Sequence, residues 1–227
     1  MRARLASVDV ATLSAQLRKR GYDNVSIDGV RPLRPGSRIV GTALTLRFVP
    51  YRKDLFAAHG SGFNAQKQAF DEVGPGEVII IEARGDGTAG TLGDILALRA
   101  KIRGAAGVIT DGGVRDSAAV AEVGLPVYAA GPHPAVLGRR HVPWEVGATI
   151  ACGGATVRPG DVIVADDDGA LVIPPGLVPE VLEAAEEQED EEAFIAEMVR
   201  RGESVRGLYP PDSEWRRRLD AWREEKR

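Results

Sequence analysis

The run 85-GDGTAGTLGDILALRAKIRGAAGVITDGGVRD-116 decides how this chain is read. It holds, in order, a glycine-rich loop, a helix, a short apolar strand and a second loop ending in the adjacent pair Arg115 and Asp116. Just upstream, Glu77 to Ala83 (EVIIIEA) has the unbroken apolar centre of a buried strand. Downstream, Ser117 to Val123 reads as a short helix and Pro126 to Ala130 (PVYAA) as a further strand. Parallel strands need a crossover between them, and a helix is the usual one. The succession strand, helix, strand, helix, strand therefore predicts an α/β fold with a parallel sheet section.

Working outward, Ser7 to Arg20 predicts a helix, with Val10, Leu13 and Leu17 at helical spacing and Gly21 as its stop. Ile39 to Phe48 (IVGTALTLRF) is rich in strand formers. Tyr51 to Val73 is polar and mixed, with short helices expected at Lys53–Ala58 and Asn64–Phe70 around a GSG break. From Pro143 to Pro174, strand-like pieces (TIACG, ATVR, DVIVAD, ALVIP) alternate with Gly and Asp turns, which predicts an antiparallel section. Val178 to Arg201 is helical and acidic. A charged tail, 201–227, follows one domain over 1–200; it contains a YPP break and a helical segment, Ser213–Lys226.

Composition narrows the function classes. The chain has 227 residues, 44% hydrophobic, enough for one sizeable core. A net charge of −4 is not the footprint of a nucleic-acid binder. No apolar run approaches the ~18 residues that span a bilayer. The N-terminal segment lacks an apolar h-region, so no signal peptide is expected. Cys152 is the single cysteine, which excludes an internal disulfide and fits a cytoplasmic location.

Gly85-Asp-Gly87-Thr-Ala-Gly90 matches G-x-G-x-x-G between a strand and a helix, and Asp111 stands about where a ribose-binding acid would. The spacing argues against a dinucleotide site. A helix already begun at Gly90 would have to carry Gly93 as well. A better N-terminus lies at Thr91 to Asp94, a T-x-x-D pattern like a capping box, with Ile95, Leu98 and Ile102 on one face and Gly104 as stop. The free N–H groups of Ile95 and Leu96 would then point back at the loop and could bind a carboxylate. Asp94 could equally be no more than an N-cap.

The second loop follows a strand of the parallel section, where ligands gather at the carboxyl edge. Asp116 could bind a hard divalent cation through oxygen. Arg115 could pair with a carboxylate or stabilise an enolate oxygen. The alternative is an ordinary surface arginine, with Asp116 capping the next helix.

Four runs together resemble a known family: G-D-I-L-A-x-R-A (Gly93–Ala100), G-V-I-T-D-G-G-V-R-D (Gly107–Asp116), P-V-Y-A (Pro126–Ala129) and V-R-P-G-D-V-I-V-A-D-D-D-G-A-L-V-I-P (Val157–Pro174). The chain is similar over roughly residues 5–200 to the RraA-like family. That family includes class II 4-hydroxy-4-methyl-2-oxoglutarate / 4-carboxy-4-hydroxy-2-oxoadipate aldolases and proteins named regulators of ribonuclease activity. The resemblance implies a β/β/α swivelling-type sandwich, a homo-oligomer (trimer or hexamer) and sites between subunits. It further implies Mg2+ or Mn2+ on Asp116, and Arg115 on the pyruvyl oxygen. Asp94 would hold metal-bound water, the amides at Ile95 and Leu96 would hold the substrate carboxylate, and Gly93 is counted with them and Arg115 among the substrate-binding residues. An acid from a neighbouring subunit's C-terminal region is also implied. Glu189 and Glu192 are the candidates, because they fall on the same helical stripe as Val178, Val181, Ala185 and Ala196. A break in the helix near Asp190, with Phe194, Ile195 and Met198 in a new phase, would remove that argument.

Weaker features read as structural. Asp166 to Asp168 suits a turn between strands. His59, His133 and His141 have no zinc spacing, although His59 could line a pocket. Cys152 reads as a small buried hydrophobe. The expected function is a metal-dependent lyase acting on a small 2-oxo acid, by retro-aldol cleavage or decarboxylation of oxaloacetate through a pyruvate enolate. The alternative is a non-enzymatic regulator that binds a ribonuclease or other protein, and a dinucleotide-binding protein is the weakest reading. Neither nucleic acid nor a membrane is expected as a partner.

Overall fold

In the computed structural model, residues 1–225 are described; Lys226, the last residue of the expected C-terminal segment, lies outside them. The chain opens with α1 (Arg2–Leu5) and α2 (Val10–Lys19). β1 (Arg31–Pro32) and the long β2 (Ile39–Pro50) follow, then α3 (Lys53–His59) and α4 (Ala65–Glu72). Asn64 caps α4 by accepting from the Lys67 N–H at 3.1 Å. The crossover region runs β3 (Glu77–Glu82), α5 (Asp94–Ile102), β4 (Gly107–Thr110), β5 (Gly113–Val114), α6 (Ser117–Val123), β6 (Val127–Ala129) and β7 (Gly131–Pro132). β8 (His141–Val146), β9 (Ile150–Cys152), β10 (Ala155–Val157), β11 (Val162–Asp166) and β12 (Gly169–Ile173) complete the strands. Two helices, α7 (Val178–Arg200) and α8 (Ser213–Glu225), end the described chain.

The fold is mixed α/β. An eight-stranded sheet runs β1-β6-β4-β3-β2-β11-β12, with β8 also on β2. β2, β3, β4 and β6 are parallel neighbours, as the crossover argument requires, and β11 and β12 are antiparallel additions. β3 shows why its apolar run is unbroken. Val78 and Ile80 face one core and Ile79 and Ile81 the other, so both faces are covered. The first core is closed by the β9–β10 hairpin through Ile150, Cys152, Ala155 and Val157. The second is closed by α4, α5 and α6. Hairpin, sheet and helices make the β/β/α layering.

On α5, Ile95, Leu98 and Ile102 share one face, and that face is outward: they are 71%, 45% and 69% exposed. The packed face is made by Ala97 and Ala100, whose small side chains let the helix lie close to the sheet. The expected T-x-x-D capping box is absent. Gly93 is the N-cap residue, and Thr91 is buried ahead of the helix with its hydroxyl used elsewhere.

α7 is one unbroken helix of 23 residues, about 34 Å long at the usual rise. Its buried stripe changes side without a break. Val178, Val181, Leu182 and Ala185 pack on the body with α2 and β12. Phe194, Ile195 and Met198, on nearly the opposite side at 100° per residue, pack with Leu219, Trp215 and Trp222 of α8. Glu189 and Glu192 lie between these regions, half-buried. Glu189 accepts the Asp9 N–H at 2.7 Å, and Glu192 accepts from the Gln188 amide at 2.8 Å. Both carboxylates therefore have partners inside their own chain.

Candidate active site

The glycine-rich loop leaves β3 and the second loop leaves β4, so both emerge at the carboxyl edge of neighbouring parallel strands. Backbone hydrogen bonds splice them together. Thr91 N–H donates to the Gly113 carbonyl at 2.7 Å, and Arg115 N–H donates to the Leu92 carbonyl at 3.0 Å. The Thr91 hydroxyl reaches Gly113 O at 3.0 Å and Thr110 Oγ1 at 3.1 Å. From α4, the Gln66 amide donates to Thr91 O at 2.5 Å and holds the same corner from behind. This splice brings together Gly93, Asp94, Ile95, Leu96, Arg115 and Asp116.

Two glycines make room for the pair. A Cβ at Gly90 would lie 2.3 Å from Arg115 Cγ, so only glycine lets the arginine stem lie across this loop. A Cβ at Gly93 would lie 3.2 Å from Asp116 Oδ2. The Arg115 Nε is buried without a hydrogen-bond partner. Its Nη2 stands 4.0 Å from Asp116 Oδ2, and both side chains are about half-exposed.

Asp116 occupies the N-cap position of α6, yet its side chain makes no capping hydrogen bond. It sits in the left-handed region at φ 53°, one of two non-glycine residues there among the described residues. Such strain costs about 1–3 kcal/mol and tends to mark sites of function. The capping alternative is thus not what the carboxylate does. Asp94 is the first residue of α5 rather than its cap, and is half-buried. The N–H groups of Ile95 and Leu96 have no partner within the helix, whose first internal bond runs from Ala97 N–H to Gly93 O at 3.1 Å.

Asp111, which stood where a ribose-binding acid would, is buried and turned into the backbone. Its carboxylate accepts N–H groups of Ala83 at 2.5 Å, Gly85 at 2.8 Å and Gly153 at 3.3 Å. It clamps the start of the glycine loop to the β9–β10 hairpin, and that use replaces the dinucleotide reading. Asp166 to Asp168 form the β11–β12 turn, as expected. His59 packs against Trp144 with the rings tilted by 59° and their centroids 5.0 Å apart. Cys152 is buried, and burial raises its thiol well above the ordinary value.

Sequence reasoning did not single out the 133–141 segment as part of this region. Arg140 Nε donates to Thr88 Oγ1 at 2.9 Å and lies 3.7 Å from Asp86. The Thr88 hydroxyl, chiefly, holds the Asp86 carboxylate below its usual range. His141 is fully buried beside Phe48, with Nδ1 3.4 Å from Arg84 Nη2 and Nε2 without a partner. Burial lowers its pKa to about 4, and Arg84 pushes the same way.

A pH prediction follows for His141. The unfolded imidazole titrates near 6.5, so between that pH and about 4 the unfolded chain binds the extra proton and stability falls as pH falls. By pH 5 the loss from this group should be about 2 kcal/mol. Urea melts at pH 7 and pH 5 should therefore differ more for wild type than for His141→Phe. An equal loss in both would rule out His141 as the source.

A mixed α/β sheet, with a spliced pair of loops, an arginine–aspartate mouth and a helix N-terminus at the carboxyl edge of its parallel strands, defines the class of fold. The chain belongs to the RraA-like family (Aldolase/RraA), whose model matches residues 10–172. It is 36% identical over 166 residues to the "Putative 4-hydroxy-4-methyl-2-oxoglutarate aldolase" of Halalkalibacterium halodurans, covering 72% of this chain and 73% of that one. Among solved structures it is similar to Streptomyces coelicolor RraAS2, described as an unusual member of the RNase ES inhibitor RraA protein family. That match has a TM-score of 0.78 and 34% identity, covering 85% of this chain and 93% of that one. An uncharacterized protein from Pseudomonas syringae matches with a TM-score of 0.82 and 26% identity over 93% of each chain.

Proposed function

We propose that this protein is a divalent-metal-dependent lyase that cleaves a 4-hydroxy-2-oxo acid by retro-aldol reaction, or decarboxylates oxaloacetate, through the enolate of pyruvate. The observation that carries the reading is one mouth holding both a carboxylate and a guanidinium that are not spent on the fold. Asp116 makes no side-chain capping bond, and Arg115 Nε is buried and unpartnered. The aldolase names among the relatives support the same reading.

Among the described residues no three or more His, Cys, Asp or Glu side chains converge as a cage. A structural zinc site would need one. Mg2+ or Mn2+ needs only one or two carboxylates, with water and substrate oxygens completing the shell. Asp116 with Asp94 nearby fits that pattern, and the missing Cβ of Gly93 leaves space beside Asp116 Oδ2. When bound, the ion would supply Lewis-acid stabilisation of the 2-oxo acid's oxygens.

The remaining chemistry falls to the chain. The N–H groups at Ile95 and Leu96 hold the substrate carboxylate at the positive end of α5. Loss of the 4-hydroxyl proton to water turns C4–O into a carbonyl as the C3–C4 bond breaks. The electron pair enters the enolate of the pyruvyl half, and Arg115 faces the oxygen on which that charge collects. Protonation at C3 releases pyruvate; with oxaloacetate the departing fragment is CO2. The test is a pyruvate-release screen over 4-hydroxy-2-oxo acids and oxaloacetate, with and without Mg2+ or Mn2+. No release from any of them would end the proposal.

The outer wall of the site is proposed to come from a second copy in a homo-oligomer, a trimer or a pair of trimers. The exposed stripe of Ile95, Leu98 and Ile102, next to the mouth, is an apolar face that a stable monomer would not normally leave open. Leu98→Glu with Ile102→Glu should turn the oligomer into a monomer in light scattering. A monomeric wild type would reject the shared wall. Glu189 and Glu192 are offered as the neighbour's acids, although each would give up its intrachain hydrogen bond. The second reading is a regulator that binds a ribonuclease or other protein through the same stripe. The RNase-inhibitor family membership of the Streptomyces neighbour favours it. Partner binding without pyruvate release would select it.

A further inference from the structure

Gln66 is a polar residue on a face where an apolar one is expected. On α4 it shares the inward stripe with Ala69 and Phe70 at helical spacing, and it is 9% exposed. Ala69 and Phe70 belong to the second core. A glutamine at such a place costs stability unless its amide is hydrogen-bonded. The partner is the Thr91 carbonyl, 2.5 Å from Gln66 Nε2. A carbonyl only accepts, so the amide nitrogen is the atom that must face it.

Thr91 is where the backbone of the site is fastened. It is fully buried, and its N–H and hydroxyl both end on the Gly113 carbonyl, at 2.7 Å and 3.0 Å. Its own carbonyl shares a rigid peptide plane with the Leu92 N–H. One plane further on, the Leu92 carbonyl accepts the Arg115 N–H at 3.0 Å. The bond from Gln66 therefore fixes the plane from which Arg115 and the start of α5 both follow.

The start of α5 depends on that anchor. Its N-cap, Gly93, has no side chain, and the helix has no side-chain cap. Glycine is also the residue least restricted in φ and ψ. The direction of the Ile95 and Leu96 N–H groups is thus set upstream of Gly93, at Thr91 and Leu92. Gln66 reaches that point from α4, outside both loops.

We propose that Gln66 is a positioning residue: by holding the Thr91 carbonyl it aims the Ile95 and Leu96 N–H groups and Arg115 at one small planar anion. The proposal rests on the lyase reading for the identity of that anion. The main readout is the affinity of the folded protein, which a loss of stability alone does not move. Oxalate, a planar, non-reacting mimic of the pyruvate enolate, is titrated by calorimetry with Mg2+ present, well below the melting temperature. Gln66→Met removes the donor at nearly constant size. It should weaken oxalate about tenfold, the usual cost of losing a group that orients a binding residue. Phe70→Leu, on the same stripe, should lower the melting temperature and leave oxalate affinity unchanged. Should Gln66→Met not fold, Gln66→Asn, whose amide is one methylene shorter, is read in the same way.

Amide hydrogen exchange without ligand supplies the second readout. Residues 92–96 should exchange faster in Gln66→Met than in Phe70→Leu. Wild-type affinity in Gln66→Met, an equal loss in Phe70→Leu, or no difference in exchange at 92–96 would overturn the positioning role. Failure of the lyase reading would look different: no pyruvate release and no oxalate binding even in wild type, with the exchange difference intact.

Discussion

Asp116→Ala should abolish pyruvate release at saturating Mg2+ or Mn2+ while leaving the protein folded. The loss should be at least on the order of 10³-fold, since the ion's stabilisation of developing charge is worth several kcal/mol. The fold should survive for local reasons. The Asp116 side chain is half-exposed and caps nothing, and only its carbonyl is used by the helix, as acceptor for the Val120 N–H at 2.9 Å. Asp116→Gly sharpens the test. Glycine relieves the left-handed φ of 53°, so this variant should match or exceed the wild-type melting temperature and still be inactive. A coupled pyruvate assay beside thermal melts reads both. Full activity in either variant, or in wild type stripped with EDTA, would dismiss the metal mechanism. Inactivity with a collapsed melt would point instead to a structural aspartate.

The sheet was legible because the period of the hydrophobic pattern was. EVIIIE could only be a strand buried on both sides, and that alone fixes β3 at the centre. The loops were legible for a related reason: glycine density marks close backbone approach, and Gly90 and Gly93 do lie against Arg115 and Asp116. What the pattern does not tell is whether an apolar stripe on a helix faces its own core. On α5 the alanines face inward and the large residues outward. A helix that packs closely on a sheet needs small inward residues, and the large outward ones await another surface.

α7 obscured its pattern differently. Two docking surfaces lie on nearly opposite sides of one helix, so no single moment describes it. β8 contains Pro143 and Trp144 and carries a register shift opposite Arg47 and Phe48, so it showed no clean alternation. Gln66 had no sequence signal at all. Its bond to Thr91 joins α4 to the glycine loop across 25 residues of chain.

Arg115→Lys should lower kcat on the order of 10²-fold or more, the usual cost of losing a preorganised oxyanion donor. The charge is kept, so a purely electrostatic role would predict almost no change. Geometry is what is lost. The stem of Arg115 is pinned where a Cβ at Gly90 would collide with it, and Nε is buried with no protein partner. That arrangement holds a planar fork with one donor out of water and Nη2 4.0 Å from Asp116 Oδ2. A lysine ammonium is a flexible, strongly hydrated point charge and has no donor at the Nε position. A loss confined to kcat would mean that the fork acts on charge that develops only in the transition state. A rise in KM with kcat intact would assign Arg115 to ground-state binding, and the enolate would then need another partner. The same comparison in Asp116→Ala is uninformative for Arg115, because the two side chains lie 4.0 Å apart and the losses of such close neighbours should not add. The single substitution, measured with the metal saturating, is the clean experiment.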